Sequence, residues 1–239
     1  MKVKNTLYTK YLDLLNIVDD YYRWGYKMEH KDSSVINIKK SGNSYNDSSL
    51  KINDIDNEIR NCKKCGLHIE RKTAVPGEGV TNPLVLIIGE GPGVEEDKTG
   101  RPFVGNAGKY LEKWLSAVNF NADENLGRNT NVYIANIIKC RPPGNRDPKP
   151  DEIKKCRPYL ERQIEILKPC VILTISRFAA QVLLNTELGI TKLRGKVYKY
   201  KNIPLVPTYH PSAVLRNPEL RSPVWDDLKL LKTEIKKNL

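Results

Sequence analysis

The sequence predicts an α/β fold of three layers, in which helices cover both faces of a central, mostly parallel four-stranded sheet, preceded by an N-terminal helical extension. Three apolar runs, at 84–89, 131–138 and 170–175, are continuous rather than alternating, which is typical of strands buried on both faces. Segments with helical spacing of apolar residues follow them, and this alternation indicates a parallel sheet. Ligands bind such sheets beyond the carboxyl ends of the strands, so functional residues are expected there.

The N-terminal part of the chain differs from the rest in composition. Residues 5–24 place apolar side chains at near-helical spacing, so we expect an amphipathic helix within an extension of residues 1–28. Residues 29–50 are rich in Lys, Ser, Asn and Asp, which favours a flexible linker. The functional domain is therefore expected to span residues 51–239.

Within this domain, helices and strands are expected to alternate in chain order. The predicted helices have amphipathic spacing and span residues 52–61, 107–118, 151–167, 177–184 and 223–237. Pro150 and the acidic residues that follow it mark the start of the third of these helices. Short strands at 197–200 and 204–207 complete the sheet and lead to His210. The polar segments after Gly89, at Asn136 and at His210 therefore fall at one edge of the sheet.

The charge of the chain favours a polyanionic partner. Lys and Arg number 40 against 28 Asp and Glu, a formal net charge of +12. Such an excess promotes phosphate contacts and counterion release, although a solvated Lys-rich surface is the alternative. No stretch approaches the roughly 20 apolar residues of a membrane span, and the N-terminus lacks a secretory signal. We expect a cytoplasmic protein without a membrane partner.

Four of the five cysteines form a candidate metal site. An odd number of cysteines without a secretory signal argues against a disulfide framework. Cys62 and Cys65 form a C-x-x-C motif, and Cys140 and Cys156 follow far downstream. Four such thiolates bind either zinc or an iron–sulfur cluster, and their spacing alone does not distinguish the two. Cys170 opens an apolar strand and is expected to be a buried thiol.

A glycine-rich segment, GEGPGVEEDKTGRPFVGNAG at 89–108, directly follows the first predicted strand. Glycines there let the backbone approach a ligand closely. A dinucleotide site is disfavoured, because the G-x-G-x-x-G spacing is absent, Pro92 lacks an N–H donor, and three acidic residues would repel a pyrophosphate. A purely structural turn is the remaining alternative.

Four blocks of the chain resemble, in order, the motifs of the family 4 uracil-DNA glycosylases, the iron–sulfur type. They are GEGPG…ED…GRPFVG.AG at 89–108, NIIKCRPPGNRDP at 136–148, LRGK at 193–196 and HPSAVLRNP at 210–218, within a likeness over roughly residues 55–237. The resemblance implies a base-excision repair enzyme that flips uracil out of DNA and hydrolyses its N-glycosidic bond. Free uracil and an abasic site would result, without lyase activity. It also implies a [4Fe–4S] cluster held by Cys62, Cys65, Cys140 and Cys156.

The resemblance further implies roles for three residues of the uracil pocket. The ring of Phe103 is expected to stack on the everted base. Asn136 is expected to donate to a uracil carbonyl oxygen and to accept from N3–H, a pattern that cytosine reverses. His210 is expected to stabilise the departing uracil anion by a hydrogen bond to O2. The charge state of this imidazole is not readable from the sequence.

The residue that orients the attacking water is less well determined by the motifs. Better-known glycosylases of the superfamily carry an aspartate where this chain has Gly91. Glu90 is the expected water-orienting carboxylate, with Glu96 or Asp97 as competitors for that role. Glu96 could instead crowd the C5 edge of the base and exclude thymine. Pro92 is expected to complete the uracil-binding loop with Gly91.

In the family, the loop after the catalytic histidine enters the minor groove of DNA, and apolar wedges are a known device for this. The commoner family pattern is HPSYLLR, and this chain has Ala213 and Val214 in place of its Tyr and first Leu. The smaller Ala213 puts the strength of DNA binding in doubt. The residues expected to contact DNA are Ser212, Leu215, Arg216, Arg141 and Arg194.

The expected substrate is uracil-containing DNA, either single- or double-stranded, and the protein is expected to be a monomer. The first alternative is a broader-specificity or covalently trapping member of the same superfamily. The second is a non-enzymatic iron–sulfur protein that binds nucleic acid. Asn136, Phe103 and His210 together argue against the second alternative.

Overall fold

The computed structural model describes residues 45–118, 122–123, 128–129 and 131–238. The predicted helix at 5–24 and the predicted linker up to residue 44 lie outside these residues. The first described helix begins at Tyr45, so the last six residues of the predicted linker are helical. Burial of Ile52, Ile55 and Ile59 on one face of this helix explains its stability despite a polar first half.

The helices of the described residues are labelled α1 to α9 in chain order. They are Tyr45–Arg60, Leu67–Glu70, Val94–Thr99, Asn106–Ala117, Pro150–Leu167, Arg177–Leu184, Ile190–Leu193, Pro211–Arg216 and Arg221–Lys237, with 3₁₀ turns at Pro143–Asn145 and Pro218–Leu220. No helix in this part of the chain is both long and apolar enough to cross a bilayer.

The strands β1 to β8 form two sheets within the described ranges. They are Glu78–Gly79, Val85–Gly89, Ala122–Asp123, Arg128–Asn129, Val132–Asn136, Val171–Thr174, Tyr198–Tyr200 and Ile203–Pro207. The main sheet has the order β1-β5-β2-β6-β8-β7, and β3 pairs with β4 in a second, two-stranded sheet. Strands β5, β2, β6 and β8 are parallel, whereas the edge strands β1 and β7 are antiparallel to their neighbours. The predicted four-stranded parallel sheet is confirmed as the centre of the main sheet.

Helices cover both faces of the main sheet. Leu86 and Ile88 of β2 belong to the apolar cluster that includes Ile55 of α1 and Leu160 of α5. Side chains alternate along a strand, so the equally buried Val85 and Ile87 point to the opposite face. There α9 packs against β6 and β8. This confirms the predicted three-layer α/β fold.

The register of the sheet determines where the polar segments lie. Gly89 and Asn136 are partners at the carboxyl ends of β2 and β5, and Thr174 and Pro207 are partners at the ends of β6 and β8. The segments that leave these four strands therefore start from one edge, as the sequence predicted.

Candidate active site

A cavity of about 600 Å³ lies beyond the carboxyl ends of the parallel strands. It has the size typical of small-molecule sites. The structure brings together in its wall all the residues predicted to bind uracil, namely Glu90, Gly91, Pro92, Glu96, Phe103, Asn136 and His210.

Asn136 presents a buried oxygen without a partner at this cavity. The residue is 1% exposed, and its Oδ1 accepts no hydrogen bond from any described residue. Native structures leave few buried polar atoms unpaired, so each such atom requires an explanation. An incoming N–H donor is the simplest explanation for an unpaired oxygen in a cavity wall.

Gly89 makes room for two of the site's side chains. A Cβ atom at this position would lie 2.4 Å from Oδ1 of Asn136 and 2.7 Å from Cζ of Phe103. Any larger residue would push the amide or the ring away. The sequence indicated that this glycine lets the backbone approach a ligand, whereas in the structure it lets an amide and an aromatic ring approach each other.

Phe103 and His210 form two further parts of the wall. Their ring centroids are 5.9 Å apart, with an interplanar angle of 38°. Nδ1 of His210 accepts a hydrogen bond from the backbone N–H of Ser212 at 3.1 Å and lies 2.7 Å from the Ser212 Oγ. A ring nitrogen that accepts an N–H carries no proton itself, so the proton of the neutral imidazole is on Nε2.

The charge state of His210 follows from its surroundings. Burial and the nearby positive charge of Arg216 together lower the pKa of His210 to about 4, and Glu96 acts in the opposite direction. The imidazole is therefore neutral at pH 7, and its Nε2–H is a donor.

The three acidic residues considered for water binding occupy different environments. Burial and the negative charge of Asp147 together raise the pKa of Glu90 to about 7, and Arg177 opposes the shift. Glu96 accepts three backbone hydrogen bonds, from the N–H groups of residues 93, 104 and 105. Asp97 is buried and accepts from the backbone N–H of Lys72, outside the cavity wall. A cavity carboxyl whose pKa is raised in this way is a candidate catalytic group.

The sequence did not single out the outer part of the cavity wall. Arg177 and Phe178 lie there at the start of α6, with the guanidinium 4.5 Å from the ring of Phe178 and 3.3 Å from Oδ2 of Asp147. Tyr209 lies beside His210 in the same wall. Their position in the sequence could have indicated them, since these residues follow the carboxyl ends of β6 and β8.

Cys62, Cys65, Cys140 and Cys156 line one small cavity between α1 and α5. Nη1 of Arg71 donates to Sγ of Cys140 at 2.9 Å, and the backbone N–H of Lys139 donates to Sγ of Cys156 at 3.3 Å. In the described ranges, no group of three or more His, Cys, Asp or Glu side chains closes around a single ion.

Cys170 does not line this second cavity. It is partly exposed, because it precedes β6 rather than lying within it. The prediction that Cys170 is a buried thiol is therefore wrong.

The residues predicted to contact DNA fall into two groups. Ser212, Leu215 and Arg216 lie on α8, where Ser212 and Arg216 line the large cavity and Leu215 is 48% exposed. Arg141 donates to Oδ1 of Asn145 at 2.7 Å. Arg194 instead makes a bidentate pair with the buried Asp227, so its position does not favour the predicted contact with DNA.

Comparison with known proteins defines the class first. The family model described as the uracil DNA glycosylase superfamily matches residues 76–229, which include the wall of the large cavity. The chain is 45% identical over 188 residues to a type-4 uracil-DNA glycosylase of Sulfurisphaera tokodaii, covering 74% of this chain and 82% of the relative.

Two further relatives with the same name cover most of their own length. The enzyme of Archaeoglobus fulgidus is 42% identical over 74% of this chain and 90% of the relative. The enzyme of Thermotoga maritima is 41% identical over 77% of this chain and 94% of the relative. The chain therefore belongs to the uracil-DNA glycosylase superfamily and, within it, to the type-4 family.

Proposed function

We propose that this protein is a monofunctional uracil-DNA glycosylase, which excises uracil from DNA and leaves an abasic site. One observation carries the proposal. A stacking ring, an unpaired buried amide oxygen and a neutral imidazole N–H converge on one cavity at the end of a parallel sheet.

Recognition requires the uracil nucleotide to be rotated out of the stack, because the glycosidic bond is not accessible within a duplex. The ring of Phe103 then stacks on the base. Oδ1 of Asn136 accepts from uracil N3–H, and the amide nitrogen donates to O4. Cytosine has an acceptor at N3 and a donor at C4, so it would leave these groups unpaired at about 1–3 kcal/mol each.

Cleavage of the glycosidic bond leaves negative charge on the departing base. The Nε2–H of His210 is the donor for uracil O2, where that charge accumulates. Ser212 holds the ring by its bonds to Nδ1, so the donor is already oriented before the bond breaks. The His210 imidazole is neutral at pH 7, so it stabilises the uracil anion by donating a hydrogen bond and keeps its proton.

The attacking water is oriented by Glu90 in this mechanism. With a pKa of about 7, this carboxyl is about half ionised at neutral pH. The ionised form accepts a hydrogen bond from water and places it against the sugar carbon that loses the base. Glu90 therefore links the rate to pH.

The second cavity has the donor set of an iron–sulfur site. Four thiols surround it, and two N–H groups donate to their sulfur atoms, as hydrogen bonds do around such clusters. We assign a [4Fe–4S] cluster to Cys62, Cys65, Cys140 and Cys156. When bound, the cluster supplies a structural cross-link and takes no part in hydrolysis. It would join the segment after α1 to the segment that follows β5, whose last residue is Asn136.

Contact with DNA is assigned to Ser212, Leu215, Arg216 and Arg141. Leu215 is the exposed apolar side chain nearest in sequence to the catalytic histidine, as a wedge into the base stack requires. The protein would act as a monomer on single- or double-stranded DNA.

The proposal is tested by product analysis. Purified protein is incubated with one oligonucleotide that contains a single uracil and with a matched one that contains thymine. Chromatography should detect free uracil, and alkali should cut only the uracil strand at the position of the lost base. Intact strands after alkali, with iron present in the protein, would contradict the proposal.

A further inference from the structure

The segment between α3 and α4 holds Phe103 in a strained conformation. Phe103 has φ of 53°, in the left-handed region that residues with bulky side chains rarely adopt. Strain of this kind persists only where surrounding contacts enforce it, and it is frequent at functional sites. The contacts that enforce it here can be identified.

The carboxylate of Glu96 supplies the polar part of these contacts. Its Oε1 accepts from the backbone N–H groups of Val104 and Gly105, both at 2.9 Å, and its Oε2 accepts from Gly93 at 3.1 Å. Two of the three bonds thus fall on the residues directly after Phe103. The third fixes the start of the same segment.

Two glycines supply the steric part. A Cβ at Gly108 would lie 1.7 Å from the carbonyl oxygen of Phe103, and one at Gly89 would lie 2.7 Å from its ring. The backbone of Phe103 is therefore pressed against α4, and its ring against the end of β2. These contacts constrain both the backbone and the ring of Phe103.

We propose that Glu96 is a positioning residue, which fixes the ring of Phe103 in the place where it stacks on the base. Since its two carboxylate oxygens accept from three backbone N–H groups, it is not assigned to the attacking water. The charge matters, because three N–H donors converge on this carboxylate and hydrogen bonds to ionised acceptors are stronger. The inference rests on the proposed function, since it assigns the stacking role to Phe103.

A spectroscopic test does not depend on turnover. The chain contains three phenylalanines, so labelling with 4-fluorophenylalanine gives three fluorine resonances, and Phe103→Tyr identifies one of them. Glu96→Gln keeps the size of the side chain but turns an amide N–H toward a backbone donor. We expect the Phe103 resonance to broaden or split in Glu96→Gln, with that of Phe178 unchanged.

The matched control is Glu95→Gln. Glu95 is the adjacent carboxylate, exposed and paired with Lys98 at 2.8 Å, so this change should leave the Phe103 resonance in place. An unchanged Phe103 resonance in folded Glu96→Gln would overturn the inference, even if the wild-type protein excises uracil.

Kinetics supply the second test. Misplacement of the ring should lower kcat/KM of Glu96→Gln on uracil-containing DNA by about 10²-fold. In a Phe103→Ala background the same change should cost less than about 3-fold, because Glu96 acts through the ring that is already gone. If the double variant lost kcat/KM by the full product of the two single-variant losses, the inference would be contradicted. Release of thymine by Glu96→Ala would also contradict it, because it would assign Glu96 to the C5 edge.

The two proposals fail separately. Without uracil release by the wild-type protein, the proposed function fails, while the fluorine spectra still report whether Glu96 fixes Phe103.

Discussion

In the proposed mechanism, the choice of base depends most directly on Asn136. Its side chain is buried at the end of a parallel strand, and its Oδ1 accepts no hydrogen bond from the residues that the structure describes. An amide both donates and accepts, so one side chain suffices to distinguish the uracil edge from the cytosine edge. Packing alone does not explain why an asparagine lies among apolar neighbours there.

Asn136→Ala should lower kcat/KM on uracil-containing DNA by about 10²-fold, since two bonds to the base are lost at about 1–3 kcal/mol each. Steady-state kinetics on a uracil oligonucleotide measure this loss. Asn57→Ala, the same change on the exposed face of α1, is the control and should have no effect. Wild-type rates in Asn136→Ala would remove this residue from the recognition mechanism.

The pH dependence of the reaction should be that of Glu90. Its pKa is raised to about 7, so the ionised fraction and kcat/KM increase as the pH rises through 7. His210, with a pKa lowered to about 4, stays neutral over this range and adds no second limb. A pH–rate profile tests this, and Glu90→Gln should abolish the limb near pH 7. Persistence of the limb in that variant would mean that another group controls the rate.

At the scale of elements, a buried network connects three segments near His210. Asp227 of α9 is fully buried and accepts from the Arg194 guanidinium at 2.9 and 2.8 Å and from the backbone N–H of Gly195 at 2.9 Å. It also accepts from Oγ1 of Thr208, at 2.6 Å, two residues before His210. Asp227 thus joins the LRGK block and the segment directly after β8 to α9.

Arg194→Gln should destabilise the fold, because it leaves the buried carboxylate of Asp227 without its cation, at about 3 kcal/mol. Chemical denaturation measures the free energy of unfolding. The salt dependence of DNA binding should not change in this variant. Lys196→Gln, an exposed neighbour, is the comparison and should leave stability unchanged. A smaller salt slope with unchanged stability in Arg194→Gln would restore Arg194 as a phosphate contact.

The sequence predicted the long elements well because their patterns are local. The apolar run at 84–89 corresponds to Val85–Gly89, and the helix at 177–184 corresponds to Arg177–Leu184, whose Ser176 caps its start. It missed β1, α3 and α8, which have two to six residues. Such short elements depend on neighbours from elsewhere in the chain, and β1 exists only by pairing with β5.

The identities of the site residues followed from the motifs, but their interactions did not. Nothing in the local sequence indicates that Gly89 leaves room for both Asn136 and Phe103, or that the Arg194 guanidinium pairs with the buried Asp227. Asn136 and Phe103 are 33 positions apart in the sequence, as are Arg194 and Asp227. Only the fold brings them together.

At the scale of the whole molecule, the four thiols join distant parts of the chain. Cys62 and Cys65 follow α1, whereas Cys140 follows β5 and Cys156 lies on α5. A cluster held by all four cysteines would join the segment after α1 to the segment after β5 and to α5. Metal-site formation is coupled to folding in this way in small domains.

Cys156→Ser should lower the iron and sulfide content of the purified protein and its Tm by on the order of 5 °C or more. Metal analysis, visible absorption and thermal unfolding measure these changes. Cys170→Ser is the matched control, since this thiol is outside the cluster cavity, and it should keep full iron content. Active wild-type protein that contains zinc and no iron would refute the cluster.

The most direct test of the claim that Phe103, Asn136 and His210 bind one base is a crystal structure of the protein with free uracil. The base should stack on Phe103, with N3 within hydrogen-bonding distance of Oδ1 of Asn136 and O2 within the same distance of Nε2 of His210. Uracil bound elsewhere, or in this cavity without contact to Asn136 and His210, would contradict the account.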